Sequence, residues 1–166
     1  SMQTWGLSDP GEIREQNQDA FAIVTFRHDQ TLMVVCDGMG GAKSGNIAST
    51  LAVEVFVDEV RRGLKPGLDA QSAGGVLKSA LSLANKAVFE QAQLSEDFKG
   101  MGTTLVAALF LKNQAVVINV GDSRAYAFST DGVELITRDH SIVELMVQRG
   151  ELTREQAKNY PGKNVI

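Results

Sequence analysis

A strand-like apolar run in this sequence ends at a single aspartate and a cluster of glycines. Residues 34–45 read VVCDGMGGAKSG, so Asp37 is followed by three glycines within four residues. Glycine is used where the backbone must approach another group closely or adopt a positive φ. A helical pattern begins directly afterwards, at Ser44. The chain must therefore fold around a tight strand-to-helix junction at Asp37.

Short apolar runs bounded by polar residues or glycines predict β-strands in two parts of the chain. The polar RHDQ segment between the first two runs predicts a hairpin, and the later runs predict a meander of consecutive strands. The predicted strands cover residues 20–26, 31–36, 105–111, 115–120, 124–129 and 132–137.

Two segments between these groups of strands repeat apolar residues with the helical period. The first predicted helix begins at Ser44 and ends near Gly63, ahead of Pro66 and Gly67. The second is expected after a small-residue turn, SAGG at residues 72–75, and its many alanines would permit close packing. Its apolar face contains Leu77, Ala80, Leu81, Ala84 and Val88.

The order of strands, helices and strands indicates an α+β fold in a single domain covering residues 1–166. A chain of this size buries about two thirds of its unfolded surface, which is enough for a real core. Residues 141–161 form a polar segment that predicts a short helical hairpin at the surface of this domain.

Composition and charge exclude several classes of function. The net charge is −4 and the chain has no basic cluster, so we expect no nucleic-acid partner. No apolar run approaches the roughly 18 residues of a bilayer span, so we expect no membrane segment. The start of the sequence lacks a secretory signal pattern, and a single cysteine cannot form an internal disulfide. These features predict a cytoplasmic protein.

Three phosphate-binding motifs fail at the glycine cluster. A P-loop needs a glycine directly before its lysine, but Ala42 separates Gly41 from Lys43. The dinucleotide fingerprint fails because Lys43 stands where its third glycine belongs. A cysteine phosphatase would need an arginine six residues after Cys36, where this chain has Ala42. We therefore interpret Cys36 as a buried strand thiol.

Two interpretations of Asp37 remain open on the residues alone. Its carboxylate could bind a hard divalent cation, with the Gly38 carbonyl as a second oxygen ligand, and Mg²⁺ or Mn²⁺ would suit such a site. Alternatively, Asp37 could cap a turn while the glycines supply positive φ.

Five separated segments occur in an order that resembles one family. The chain resembles the metal-dependent protein serine/threonine phosphatases of the PP2C type, also called the PPM family, in their bacterial form. The resemblance implies a central β-sandwich flanked by helices, with a dinuclear Mn²⁺ or Mg²⁺ centre at one end. The segments are REQNQDA (14–20), VCDGMGG (35–41), MGTT (101–104), VGDSRAY (120–126) and TRDHS (137–141).

The resemblance also implies roles for particular residues. Asp37 matches the carboxylate that bridges both metals, and Gly38 matches the residue that gives a carbonyl oxygen to one of them. Asp19 matches an acidic residue that acts through metal-bound water. Arg14 matches the arginine that binds the substrate phosphate, a task suited to a guanidinium. Asp122 matches a residue that helps to hold a third, weaker metal, although an Asx-turn between two strands is its structural alternative.

The implied reaction is hydrolysis of phosphoserine and phosphothreonine by metal-activated water, without a phosphoenzyme. The implied partners are phosphorylated proteins, those of a cognate serine/threonine kinase. Residues 141–161 match the segment called the flap, which borders the active site. The MGTT residues Thr103 and Thr104 are expected to start a strand, with packing and turn hydrogen bonds as their role.

Two departures from the family pattern bear on this expectation. Met39 stands where many eukaryotic relatives have a histidine proposed as a general acid. No aspartate follows Asp139, although the family completes its metal pair with later aspartates. We therefore expect the chain to be a piece of a longer protein, with exposed apolar surface that favours dimerisation or strand exchange.

Two other functions remain compatible with the sequence. A phosphatase-like binding or regulatory module would recognise a phosphorylated partner without turnover. Another metallo-hydrolase would act on small phosphate esters rather than phosphoproteins. The native reading frame beyond Ile166 would distinguish the binding module from a phosphatase. Assays on phosphopeptides and on small phosphate esters would distinguish the small-ester hydrolase from a protein phosphatase.

Overall fold

The computed structural model describes residues 18–41, 43–120, 125–129 and 132–135, together with Thr153 and Glu155. These residues form strands and helices in the predicted order of strands, helices and strands. The strands are β1 (Asp19–Phe26), β2 (Gln30–Met39), β3 (Gly102–Thr103), β4 (Val106–Phe110), β5 (Ala115–Asn119), β6 (Ala125–Ser129) and β7 (Gly132–Leu135). The helices are α1 (Ser44–Gly63) and α2 (Ala70–Ala92), with short 3₁₀ turns at Arg27–Asp29 and Glu96–Phe98.

The strands form an antiparallel sheet in the order β1-β2-β4-β5-β6-β7, and β3 pairs with the end of β2. The predicted hairpin is confirmed, because β1 pairs with β2 along its whole length across the Arg27–Asp29 turn. The predicted meander is also confirmed, since β4 to β7 pair consecutively.

Both helices pack on one face of this sheet and against each other. Helix α1 buries Ala48, Ala52, Phe56 and Val60, which recur every four residues and so share one face. Alanines on the buried face of α2 let the two helices approach closely, as the sequence predicts. Alternate residues of β2, such as Leu32, Val34 and Cys36, complete this core from the sheet side.

The start of α2 differs from the sequence prediction. The helix begins at Ala70, so the SAGG segment at residues 72–75 lies inside the helix and is not a preceding turn. The reason is a cap: the Asp69 carboxylate accepts a 2.7 Å hydrogen bond from the Ser72 N–H. This hydrogen bond lowers the pKa of Asp69. A good N-cap outweighs the low helix propensity of Gly74 and Gly75.

The face of the sheet opposite the helices carries exposed apolar side chains. Val35 lies between Phe21 on β1 and Val106 on β4, and these three side chains are 43–54% exposed. The described strands therefore supply one sheet, with helices on one face only. Apolar exposure is what the sequence led us to expect, while dimerisation through it stays a prediction.

Among the described residues, no helix combines the length and the apolar character needed to cross a bilayer.

Candidate metal centre

Asp19 and Asp37 lie directly opposite each other at the end of the β1–β2 hairpin. The sequence placed Asp37 after the end of a strand, but β2 continues to Met39 and β1 begins at Asp19 itself. The extension arises because β2 has partners on both sides here. Gly38 N–H donates to the Gln18 carbonyl at 3.1 Å, and Gly38 also pairs with Thr103 of β3.

The backbone hydrogen bonds fix how the two carboxylates face each other. The Gly38–Gln18 bond makes that neighbouring pair hydrogen-bonded, so the Asp19–Asp37 pair is of the non-hydrogen-bonded kind. Such pairs hold their Cα atoms about 4.5 Å apart, with both side chains on the same face. Both aspartates are half-buried. Two like charges placed this way favour a bound cation between or beside them.

The backbone of Asp37 faces away from β1, toward the start of β4. Its N–H donates to the Thr104 hydroxyl at 3.0 Å, and its carbonyl accepts from the Thr104 N–H at 2.9 Å. Thr104 therefore holds both backbone polar groups of Asp37, although sequence reasoning gave it only a structural role.

Close approach between β2 and α1 explains two of the glycines. A Cβ atom on Gly38 would lie 1.9 Å from the Gly45 carbonyl oxygen, a distance that no side chain can occupy. A Cβ atom on Gly45 would in turn lie 2.0 Å from Gln18 Oε1. Gly40 has φ +149°, a conformation that other residues rarely adopt. The helix start therefore presses against the strand end beside Asp37, as the glycine cluster predicted.

Gln18 and Ser49 connect this junction to α1. The Ser49 hydroxyl donates to the Gln18 carbonyl at 2.6 Å, the same oxygen that accepts the Gly38 N–H. Ser49 is completely buried on the core face of α1. Neither residue was singled out from the sequence. Only the fold shows that a hydroxyl of α1 contacts the backbone of the residue just before β1.

The single cysteine lies on the helix-facing side of β2. Cys36 is completely buried, and this burial raises the pKa of its thiol to about 12, against a smaller lowering by the Thr103 hydroxyl. Because only the thiolate is a nucleophile, a thiol of this kind is chemically inert near neutral pH. The interpretation of Cys36 as a buried strand thiol is confirmed.

We expect Cys36 to resist thiol reagents in the folded protein. With a pKa near 12, about one thiol in ten thousand is ionised at pH 8, and burial blocks access. Iodoacetamide should give no mass shift under native conditions and one adduct after unfolding in guanidinium. Rapid labelling of the folded protein would contradict this assignment.

Three of the predicted site residues, Asp19, Asp37 and Gly38, lie together at this junction. Arg14, Asp122 and nearly all of the flap-like segment 141–161 lie outside the described residues. Within the part of the chain that the structure describes, no three His, Cys, Asp or Glu side chains form a group that could hold a metal. Asp19 and Asp37 carry carboxylate oxygens, the donors that hard divalent cations prefer. By chemistry they fit part of the ligand set of such a cation.

Comparison with known proteins identifies the family to which these residues belong. A family profile described as Protein phosphatase 2C matches residues 13–158, which is most of the chain. The chain belongs to the protein phosphatase 2C family. The resemblance drawn from five short segments is therefore confirmed over a continuous stretch. The Asp19–Asp37 pair of this PP2C chain falls inside the matched region.

Individual relatives agree with this assignment. Serine/threonine phosphatase stp of Listeria welshimeri serovar 6b is 36% identical over 159 residues, which cover 96% of this PP2C chain and 63% of that protein. The crystal structure of Stp1 from Staphylococcus aureus matches with a TM-score of 0.61 and 36% identity, covering 96% of this chain and 62% of that one. The crystal structure of the catalytic domain of the serine/threonine protein phosphatase PstP in complex with two manganese ions matches with a TM-score of 0.55 and 32% identity. The match covers 91% of this chain and 61% of that one.

These matches confirm the predicted α+β fold class for the PP2C chain. Its antiparallel sheet and two packed helices correspond to part of the phosphatase structures. The chain spans about 63% of the length of the curated relatives that it matches.

Proposed function

We propose that the protein to which this chain belongs hydrolyses phosphoserine and phosphothreonine in other proteins, using a pair of Mn²⁺ or Mg²⁺ ions. The observation that carries the proposal is the Asp19–Asp37 pair, two carboxylates opposed at a glycine-lined junction within the PP2C family region. The PstP relative with two manganese ions supports the choice of metal. The serine/threonine phosphatase names of the relatives support the substrate class.

Each residue of the site has a distinct proposed role. Asp37 would hold the two cations through its carboxylate, and Gly38 would supply a carbonyl oxygen to one of them. Asp19 is half-buried opposite Asp37 on the neighbouring strand. Its carboxylate would accept hydrogen bonds from water bound to the ions. When bound, the ions lower the pKa of water and neutralise charge on the phosphoryl group. Asp122 belongs to a third, weaker cation position.

Arg14 is proposed to bind the substrate phosphate. It stands five residues before Asp19 in the sequence, on the segment that leads into β1. A guanidinium can form two parallel hydrogen bonds to phosphoryl oxygens and compensates their charge, which a lysine does less well. The serine/threonine phosphatase names of the relatives support phosphorylated proteins, including targets of a cognate serine/threonine kinase, as the proposed partners.

Arg14→Ala in the full-length protein should raise KM for a phosphothreonine peptide strongly, because a bidentate ion pair with the phosphate is lost. Steady-state kinetics over a wide range of peptide concentrations measures this change. Arg61→Ala is the matched control, since Arg61 is an exposed residue of α1 that pairs with Asp58. Wild-type KM and kcat for the Arg14 variant would refute its assignment.

The substrate class can be tested separately from the site. Full-length protein supplied with Mn²⁺ should release phosphate from phosphoserine and phosphothreonine peptides with a higher kcat/KM than from small phosphate monoesters. The reverse preference would favour a small-ester hydrolase. Peptide binding without any phosphate release would favour a regulatory module.

A further inference from the structure

The two-residue segment Asp37–Gly38 is held from two directions, directly by Thr104 and, through the Gln18 carbonyl, by Ser49. On the β4 side, the Thr104 hydroxyl accepts the Asp37 N–H at 3.0 Å, and the Thr104 N–H donates to the Asp37 carbonyl at 2.9 Å. These two bonds close a small ring around the backbone of Asp37. Rotation of that residue away from Asp19 would break both of them.

On the helix side, Ser49 acts through the backbone of Gln18. Its hydroxyl donates to the Gln18 carbonyl at 2.6 Å, while a weaker contact of 3.2 Å reaches Asn46 of its own helix. The Gln18 carbonyl also accepts the Gly38 N–H at 3.1 Å. Ser49 therefore fixes the oxygen to which Gly38 is hydrogen-bonded, and so limits how the Gly38 peptide can tilt.

Burial separates the Ser49 hydroxyl from ordinary surface capping groups, whereas Thr104 is half-buried. Ser49 is fully buried on α1, at a position where apolar neighbours such as Ala48, Ala52 and Phe56 form the core. A hydroxyl placed there is costly to desolvate unless its hydrogen bond is made. Gly45, one turn earlier on the same helix, has no side chain, and the Gln18 side-chain amide occupies the space where a Cβ atom would lie. The buried Ser49 hydroxyl therefore depends on its hydrogen bond to the Gln18 carbonyl.

We propose that Thr104 and Ser49 are positioning residues of the divalent-cation site, Thr104 acting directly on Asp37 and Ser49 acting through Gln18 on Gly38, from opposite sides of the Asp37–Gly38 dipeptide. This inference rests on the proposed function, in which that peptide supplies a carboxylate and a carbonyl ligand. Mg²⁺ demands near-ideal octahedral geometry, so a small tilt of either ligand weakens binding. Hydrogen-bond partners behind metal ligands typically contribute about 10-fold to 100-fold in metal affinity.

The test measures Mn²⁺ binding by isothermal calorimetry on metal-stripped full-length protein, alongside thermal stability and phosphopeptide turnover. Thr104→Val keeps the side-chain volume but removes the acceptor of the Asp37 N–H, whereas Thr104→Ser retains it. Ser49→Ala removes the donor to Gln18. Val60→Ala is the control, because Val60 is fully buried on the same helix but lies near its far end.

We expect Thr104→Val to weaken Mn²⁺ binding by about 10-fold or more and Ser49→Ala to weaken it in the same direction. Thr104→Ser should restore affinity, and the double variant should lose less than the product of the single effects, since both act on one peptide. Val60→Ala should lower the melting temperature while keeping Mn²⁺ affinity within about twofold of wild type.

Wild-type Mn²⁺ affinity in Thr104→Val and Ser49→Ala would overturn the inference and leave the proposed function standing. An equal loss in Val60→Ala would overturn it too, because the effect would then follow stability alone. If the wild-type protein neither binds Mn²⁺ nor releases phosphate, the proposed function itself fails and this inference fails with it.

Discussion

Asp37→Asn in the full-length protein should reduce phosphopeptide turnover by orders of magnitude while leaving the fold intact. The amide keeps the shape of the side chain, and the backbone bonds to Thr104 do not involve the carboxylate. What is lost is the negative charge that offsets two cations, so their mutual repulsion is no longer compensated at this position. Initial rates over a range of Mn²⁺ concentrations measure the effect.

The matched control for this variant is Asp58→Asn. Asp58 is an exposed residue of α1 whose carboxylate pairs with Arg61, toward the opposite end of the helix from its start beside Asp37. Neutralising it should leave turnover unchanged, because exposed ion pairs contribute little. If high Mn²⁺ restores full activity to Asp37→Asn, Asp37 is not the carboxylate shared by two cations.

Gly38→Ala should destabilise the protein severely. The added Cβ would overlap the Gly45 carbonyl, 1.9 Å away, and would also crowd the Gln18 carbonyl at 2.9 Å. Both neighbours are backbone atoms, so relief requires β2 and α1 to move apart. We expect a loss of about 3 kcal/mol or more in the free energy of unfolding, the upper part of the range for overpacked sites. Urea denaturation followed by circular dichroism measures this.

Gly75→Ala provides the comparison for that experiment. Gly75 lies within α2, and a Cβ atom there meets no other atom within 4 Å. Alanine at such a helix position should stabilise the protein by roughly 0.5–1 kcal/mol. Equal unfolding midpoints for Gly38→Ala and wild type would show that the β2–α1 approach is looser than described.

Much of the architecture could be predicted because periodicity is local. The apolar period of α1 and the apolar run within β2 are properties of consecutive residues. Helix α1 was therefore predicted at its observed bounds, and the core of β2 was predicted although its end was not. The sequence also predicted a close backbone approach near Gly38, because glycines at such a position allow either close approach or a positive φ. It did not identify the group that approaches. The family followed from short segments in a fixed order.

Other features depend on contacts between distant residues. The end of β2 at Met39 required partners from β1 and β3, which a scan of apolar runs ending at Cys36 could not include. The start of α2 depended on one cap at Asp69, which outweighed two glycines.

The candidate site shows the same limit. The sequence selected Asp19, Asp37 and Gly38, but their register is set by the pairing of two strands. Ser49 carried no signal of its own, and Thr104 was noted in the MGTT segment only for packing and turn hydrogen bonds at a strand start. Their hydrogen bonds to the Asp37 N–H and to the Gln18 carbonyl are visible only in the folded chain.

The most direct test of the central claim is phosphate release from a phosphothreonine peptide by metal-stripped full-length protein as Mn²⁺ is added back. We predict no release in the presence of a chelator, and release that rises with Mn²⁺ for the wild type but stays near zero for Asp37→Asn. Release at the full rate in excess chelator would contradict the proposed metal-dependent hydrolysis at the Asp19–Asp37 pair.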